Sequence, residues 1–390
     1  MNKNNELEII KKLPLSILVM DHTRPGSDFF QSLLDGHPEI LQITGTSLYR
    51  FSEFWSNANT DELDDLINQF IYNSNHYQLF DSRFNVGERW DKLGINQDEF
   101  FTVDIQSFKK NIKDLMGGNS LTRLNFFYAV HGAYWMAQGR ELGDVKMLFF
   151  HVHHLSGWDS YNEFPKPSVI LMTRELRDGW VSYVENRPKT SSDYYDPRVF
   201  IPPISTYSNI FTRLMRYKKV IVIPLSKLHK EPDLVMKFFC KEYDLVYLPD
   251  VLLKSSYHGK LWWGDIWSKK RNGFNSSFGA DKKWEPFFNN LDNIVLEAAF
   301  EPLYIDFSYS MKSTKFQRFF VLCFFPLFVL APTAYEIKLL KFNFASRRRS
   351  KFKTLLLLLS MYLMRIKGYL KAFVNYRIRR KIITLHTPST

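Results

Sequence analysis

The chain has 390 residues, 45% of them hydrophobic, and a formal net charge of +12, so it is long and apolar enough to bury a sizeable core. Its two cysteines, Cys240 and Cys323, exclude a disulfide framework and point to a reducing compartment. The charge is uneven: residues 311–390 hold 17 Lys or Arg against one acid, Glu336, which gives that segment +16 and leaves −4 for residues 1–310.

In chain order, residues 1–14 read as a polar N-terminal tail without the apolar run of a signal peptide. Leu15–Met20 reads as a short apolar strand that runs through Asp21, His22 and Thr23 into Arg24-Pro25-Gly26-Ser27-Asp28 and then a helix with an apolar stripe. Such a strand–turn–helix unit aims backbone N–H groups and a helix dipole at the turn, which suits an anion. Gly26 lets the backbone approach a ligand closely. Ser27 and Asp28 fall at the helix start, and Arg24 supplies a fork of donors. The turn is not a Walker A loop: no lysine follows the glycine, and no Ser or Thr stands where Mg²⁺ would be held. An ATP-dependent kinase and a metal requirement are therefore disfavoured. Asp28 would repel a phosphate, so it is expected to cap its helix or to pair with a nearby cation. Gly36-His37-Pro38 reads as a helix terminus.

Region 56–142 mixes amphipathic helical patterns with aromatics and is where an acceptor would bind. Val145–Phe150 is a buried-strand run followed by His151-Val152-His153-His154. If the strand persists, His151 and His153 share a face. Either could take a proton near neutral pH. Zinc is the alternative chemistry for clustered histidines, but no Cys-x-x-Cys or second ligand cluster accompanies them. Ser168–Thr173 is the next strand, running into Arg174, Asp178 and Ser182 on a predicted helix, with Asp178 expected to cap or orient. Ile221–Ser226 reads as a further strand and Leu234–Tyr243 as a helix. A basic loop follows at Lys269-Lys270-Arg271-Asn272-Gly273.

The two strand–turn–helix units together resemble the nucleotide motifs of the sulfotransferase superfamily, whose members transfer a sulfuryl group from 3′-phosphoadenosine 5′-phosphosulfate (PAPS). In that family the first motif is a strand followed by a Lys-or-Arg-Ser-Gly-Thr-Thr-like loop, often closing with Leu-Leu-x-x-His-Pro. Here Arg24-Pro25-Gly26-Ser27-Asp28 occupies the loop and Leu33-Leu34-Asp35-Gly36-His37-Pro38 closes it, with Asp28 where a hydroxyl residue is usual. The second motif is Arg-x-x-x-Asp with a serine eight positions after the arginine, matched by Arg174, Asp178 and Ser182. Arg271-Asn272-Gly273 loosely matches a late loop that contacts the 3′-phosphate. The resemblance spans residues 15 to 275. It implies PAPS as co-substrate, a 3′-phosphate contact at Arg174 and Ser182, and a catalytic base at His151 or His153, with Glu53 the second candidate.

The tail holds an uncharged run from Phe319 to Tyr335, interrupted by Pro326 and Pro332, and a second apolar run from Leu355 to Met364. Apolar helices among lysines and arginines suit an anionic lipid surface better than nucleic acid, and a re-entrant or interfacial anchor better than a full span. The expected architecture is an α/β enzyme with a central parallel sheet flanked by helices in residues 15–310 and a helical, membrane-associated extension in 311–390. It would sit in the cytoplasm, peripheral or monotopic on the inner face of a membrane, and sulfate an acceptor hydroxyl on a glycan or glycolipid. The alternatives are a membrane-associated nucleotide-binding protein without transferase activity, or another transferase or kinase on the same sheet.

Overall fold

The structure is a computed structural model that describes residues 6–20, 24–45, 47–153, 155–158, 161–185, 210, 213–214, 216–266, 270–279, 283–334, 336–338, 341, 351–375 and 385–388. It is an α/β chain with a central parallel sheet flanked by helices. The strands are β1 (Leu15–Met20), β2 (Ile40–Gln42), β3 (Met147–His153), β4 (Ser168–Thr173) and β5 (Val220–Pro224). Two short strands, β6 (Ser256–Tyr257) and β7 (Lys260–Leu261), form an antiparallel hairpin, and β8 (Leu385–His386) is the last. The sheet order is β2-β3-β1-β4-β5-β8. β1, β3, β4 and β5 are buried almost throughout, as continuous apolar runs in a parallel sheet must be. β8 was not foreseen: the chain end returns to pair in parallel with β5, Val220 opposite Leu385.

The chain divides into two compact units. The first comprises Met1–Val19, Gly26–Ile170 and Lys227–Ser276. It contains helices α1 (Glu6–Lys12), α2 (Ser27–Leu33), α3 (Phe51–Asn57), α4 (Leu63–Ile71), α5 (Ile105–Met116) and α6 (Arg123–Ala137). α1 corrects the expected N-terminal tail: Leu7 and Ile10, three apart and so on one helical face, are fully buried. Gly132 on α6 makes room for it, because a Cβ there would lie 2.4 Å from Ile10 Cδ1.

The second unit comprises Met20–Pro25, Leu171–Ser226 and Ser277–Thr390. It carries α8 (Leu176–Glu185), which follows β4, and the helices Asn290–Asp306, Lys315–Cys323, Phe325–Leu330 and Lys351–Phe373; the short α7 (Leu155–Trp158) follows β3 in the first unit. Capping boxes start two of them, Asn289 with Asp292 and Thr314 with Gln317. The expected boundary at 310/311 does not separate two bodies. Glu297, fully buried in helix Asn290–Asp306, accepts hydrogen bonds from the backbone N–H groups of Lys312 and Ser313 at 2.9 and 2.8 Å. A buried carboxylate needs those donors, so the start of the tail belongs to the packed unit.

Candidate functional site

In the first unit, β1 leads to a turn in which Gly26 has φ +79°, a left-handed conformation that favours glycine, and Gly26 is the N-cap of α2. Its carbonyl accepts the first helical hydrogen bond, from Phe30 N–H at 2.9 Å. Arg24, which belongs to the second unit, has positive φ, +54°, which a non-glycine residue adopts at a cost of about 1 kcal/mol. No side chain caps α2. The carboxylate of Asp28 lies 3.7 Å from Nδ1 of His151.

His151 and His153 come together, though not by regular strand alternation. The β1–β3 register runs Leu18 to His151 and then Val19 to His153, a bulge at Val152, and His153 has φ +67°. Bulges re-aim side chains. The result places His153 Nδ1 3.4 Å from His151 Nε2. The protons can be assigned from the neighbours. Gln31 donates its amide N–H to Ile43 O at 2.8 Å, so its Oε1 is the atom that faces His151 Nδ1 at 2.9 Å. His151 therefore carries its proton on Nδ1 and presents the Nε2 lone pair to His153 Nδ1–H. His151 is buried and His153 half-buried. Sequence reasoning missed Gln31; its signal was a polar side chain in a stretch, Phe30 to Leu33, whose apolar members are fully buried.

The late loop is seated against the same helix. Phe274 packs edge-on against Phe29 in the first turn of α2 at 5.5 Å, Phe29 stacks on His229 at 4.9 Å, and Asn275 N–H donates to His229 Nδ1 at 3.3 Å. Arg271 is exposed, Asn272 half-buried, and Gly273 has φ +74°. Glu53 is not part of the histidine cluster. It sits on α3, ion-paired with Arg50 at 3.9 Å, in a separate cleft of about 320 Å³ that is also lined by Asn57, Gln69, Tyr72 and His76. His37 has the structural role expected of it, bonded to Val246 O at 2.9 Å, and burial lowers its pKa. His154 and Asp21 to Thr23 lie outside the described residues.

In the second unit, Arg174 follows β4 and its guanidinium lies 5.0 Å from the Phe278 ring centroid, a cation–π contact. The capping carboxylate of α8 is Glu175, not Asp178: it accepts from Arg177 N–H at 2.9 Å and Asp178 N–H at 3.0 Å. Burial, reinforced by the adjacent Glu175 charge, pushes the Asp178 carboxyl up to about 6 against the pull of Arg174 and Arg177. Asp178 is therefore protonated more easily than an ordinary aspartate, while remaining mostly ionised at neutral pH. Arg177 is a structural cation, buried and bonded to Glu175 at 2.7 Å and Glu297 at 2.8 Å. Ser182 is half-buried in the second turn of α8. Glu175 and Phe278 were not anticipated; an acid immediately before a helical pattern was the available signal for the first.

Among the described residues, no group of three His, Cys, Asp or Glu side chains is placed to hold a metal ion. No protein-family model matches the chain, and no curated protein matches it. Among solved structures it is similar to the sulfotransferase domain from the curacin biosynthetic pathway, at 15% identity and a TM-score of 0.37, over 68% of this chain and 86% of that one.

Proposed function

We propose that the chain is a PAPS-dependent sulfotransferase acting on an acceptor hydroxyl. The observation that carries this reading is the histidine pair at the end of β3, held by Gln31 and Asp28 from α2, the helix that the first nucleotide motif opens. His153 is the half-buried member and acts as general base; buried His151 is a positioning residue. The acceptor oxygen attacks sulfur, its proton passes to His153 Nε2, and the bond between sulfur and the 5′-phosphate oxygen breaks. The nucleotide leaves as 3′,5′-adenosine bisphosphate. His153 becomes an imidazolium whose Nδ1–H is directed to His151 Nε2, with the Asp28 carboxylate 3.7 Å from the far side of that ring.

The turn carrying Arg24, Pro25, Gly26, Ser27 and Asp28 would take the phosphosulfate, and its donors would stabilise the departing phosphate. Arg174 and Ser182 would take the 3′-phosphate, with Arg271-Asn272-Gly273 as a further nucleotide contact. The non-catalytic alternative rested on Asp28 facing the donor. Its carboxylate lies 3.7 Å from His151 Nδ1, an approach that supports the enzymatic reading. A glycan or glycolipid is the acceptor class we favour, because both offer hydroxyls and the second can be met at a bilayer.

Calorimetry with PAPS, 3′,5′-adenosine bisphosphate and ATP tests the reading. The first two should bind without added metal and ATP at least tenfold more weakly. Tighter binding of ATP, or no binding of either 3′-phosphorylated nucleotide, would overturn it.

A further inference from the structure

Helix Lys315–Cys323 is built inside out. Arg318 is 4% exposed, bonded to Glu301 at 2.8 Å and to the carbonyl of Ser313, while Phe316 and Phe319 are 76% and 65% exposed. Water dictates the reverse arrangement for a surface helix. The next helix, Phe325–Leu330, exposes Leu327 and Leu330.

Helix Lys351–Phe373 repeats the pattern. Leu358, Met361, Arg365, Tyr369 and Ala372, spaced by three or four residues, are the buried stripe. The remaining face is apolar as well, with Phe352 and Leu355 exposed. A shallow groove of about 380 Å³ runs along it, lined by Leu356, Leu359, Ser360, Leu363, Met364 and Lys367. A helix apolar on both sides has a second partner besides the protein it already touches. Arg365 ties the two parts together, donating to Glu336 at 2.6 Å, Val329 O at 3.0 Å and Ala331 O at 3.1 Å.

We infer that these outward faces dock on an anionic phospholipid bilayer and lie in its interface. Charge complementarity selects this partner. The segment 311–390 holds 17 basic residues and one acid. That acid, Glu336, is buried against Arg365, and Arg318 is buried against Glu301, so these two arginines of the 17 point inward. Lysines such as Lys315, Lys367 and Lys371 are exposed beside the apolar side chains. Depth follows from length. Helices of 9 and 6 residues reach about 13 and 9 Å, far short of the roughly 30 Å hydrocarbon core. Lys351–Phe373, with 23 residues, is long enough, but Lys351, Lys353, Arg365, Lys367 and Lys371 interrupt its apolar run. Among the described residues no helix is long and apolar enough to cross a membrane. The docking does not depend on the sulfotransferase reading.

Cys323 supplies a native probe, because it is exposed in this region while Cys240 is buried. Full-length protein labelled at Cys323 with an environment-sensitive fluorophore should shift to the blue with phosphatidylcholine vesicles containing about one third phosphatidylglycerol, and far less with phosphatidylcholine alone. Phe316→Ser with Phe319→Ser should reduce vesicle partitioning roughly tenfold, and Lys367→Glu with Lys371→Glu should abolish the preference for anionic lipid. Circular dichroism identical to the parent chain would separate these effects from unfolding. No blue shift with either vesicle would overturn the inference. So would a self-associated chain that the phenylalanine variants dissociate without changing vesicle binding, since a second copy would then be what covers the face.

Discussion

His151 Nε2 and His153 Nδ1 lie 3.4 Å apart across a β-bulge, and Gln31 determines which of the two carries the proton between them. This relationship gives the two histidines different roles. On the proposed reading a base must meet its substrate, and of the two only His153 is partly open; His151 would orient it.

Replacing His153 by Ala should lower turnover by about 10²–10⁴-fold with donor affinity nearly unchanged. His151→Ala should lower turnover less, and Gln31→Leu less again, because each removes only a step of the orientation. Gln31→Leu should also displace the pH–rate profile, since His151 then loses the acceptor that keeps its proton on Nδ1. Gln31→Glu, which can still accept at that atom, should retain the parent profile shape. Steady-state kinetics across pH checks all four. Full activity in the double histidine variant would move the base to Glu53.

For the nucleotide, Arg174→Ala and Ser182→Ala should weaken 3′,5′-adenosine bisphosphate far more than 5′-AMP, because only the former carries a 3′-phosphate. Phe278→Ala should give a milder loss with the same selectivity, roughly a few-fold, by removing the cation–π contact to the guanidinium. Equal loss for both nucleotides in calorimetry would place the 3′-phosphate elsewhere.

The apolar runs at Leu15, Val145, Ser168 and Ile221 announced four strands of the parallel sheet, because continuous burial in such a sheet leaves a local compositional trace. β8 left none: two residues at the chain end pair with β5 through backbone groups that any sequence carries. The histidines were legible as candidates from their place after a strand. Their arrangement was not, because it depends on Gln31 more than a hundred residues away and on a bulge that no periodicity encodes. Arg318 was counted in the basic charge of the tail, whereas it is buried against Glu301. Charge counts record the residue, and only packing records which way it points.

Asp178 predicts a pH dependence. Its folded-state pKa of about 6 lies above the ordinary 3.8, so the native state holds this proton more tightly than the unfolded chain. Its contribution to stability is greatest below about pH 4 and is lost as pH rises through about 6, by on the order of 3 kcal/mol. Asp178→Asn, which cannot ionise, should gain stability relative to the parent at pH 7.5 and little at pH 4. Thermal unfolding at the two pH values checks the difference, and a gain confined to pH 4 would contradict the assignment.

The Arg177–Glu297 pair predicts how the second unit fails. Both side chains are at most 2% exposed and the ions are 2.8 Å apart. Glu297 also accepts from Lys312 N–H, Ser313 N–H and the Ser313 hydroxyl. Removing the carboxylate with Glu297→Leu strands several donors at once and should cost about 3–5 kcal/mol. Arg177→Met should cost about as much, because Glu175 and Glu297 both lose their cation. The double variant should be more stable than the sum of the two losses implies, since neither ion is then left buried alone. Glu297→Gln keeps an acceptor for one donor and should fall between the parent and Glu297→Leu. Denaturant unfolding of the four variants measures the coupling; strictly additive losses would show that the two ions do not act as a pair.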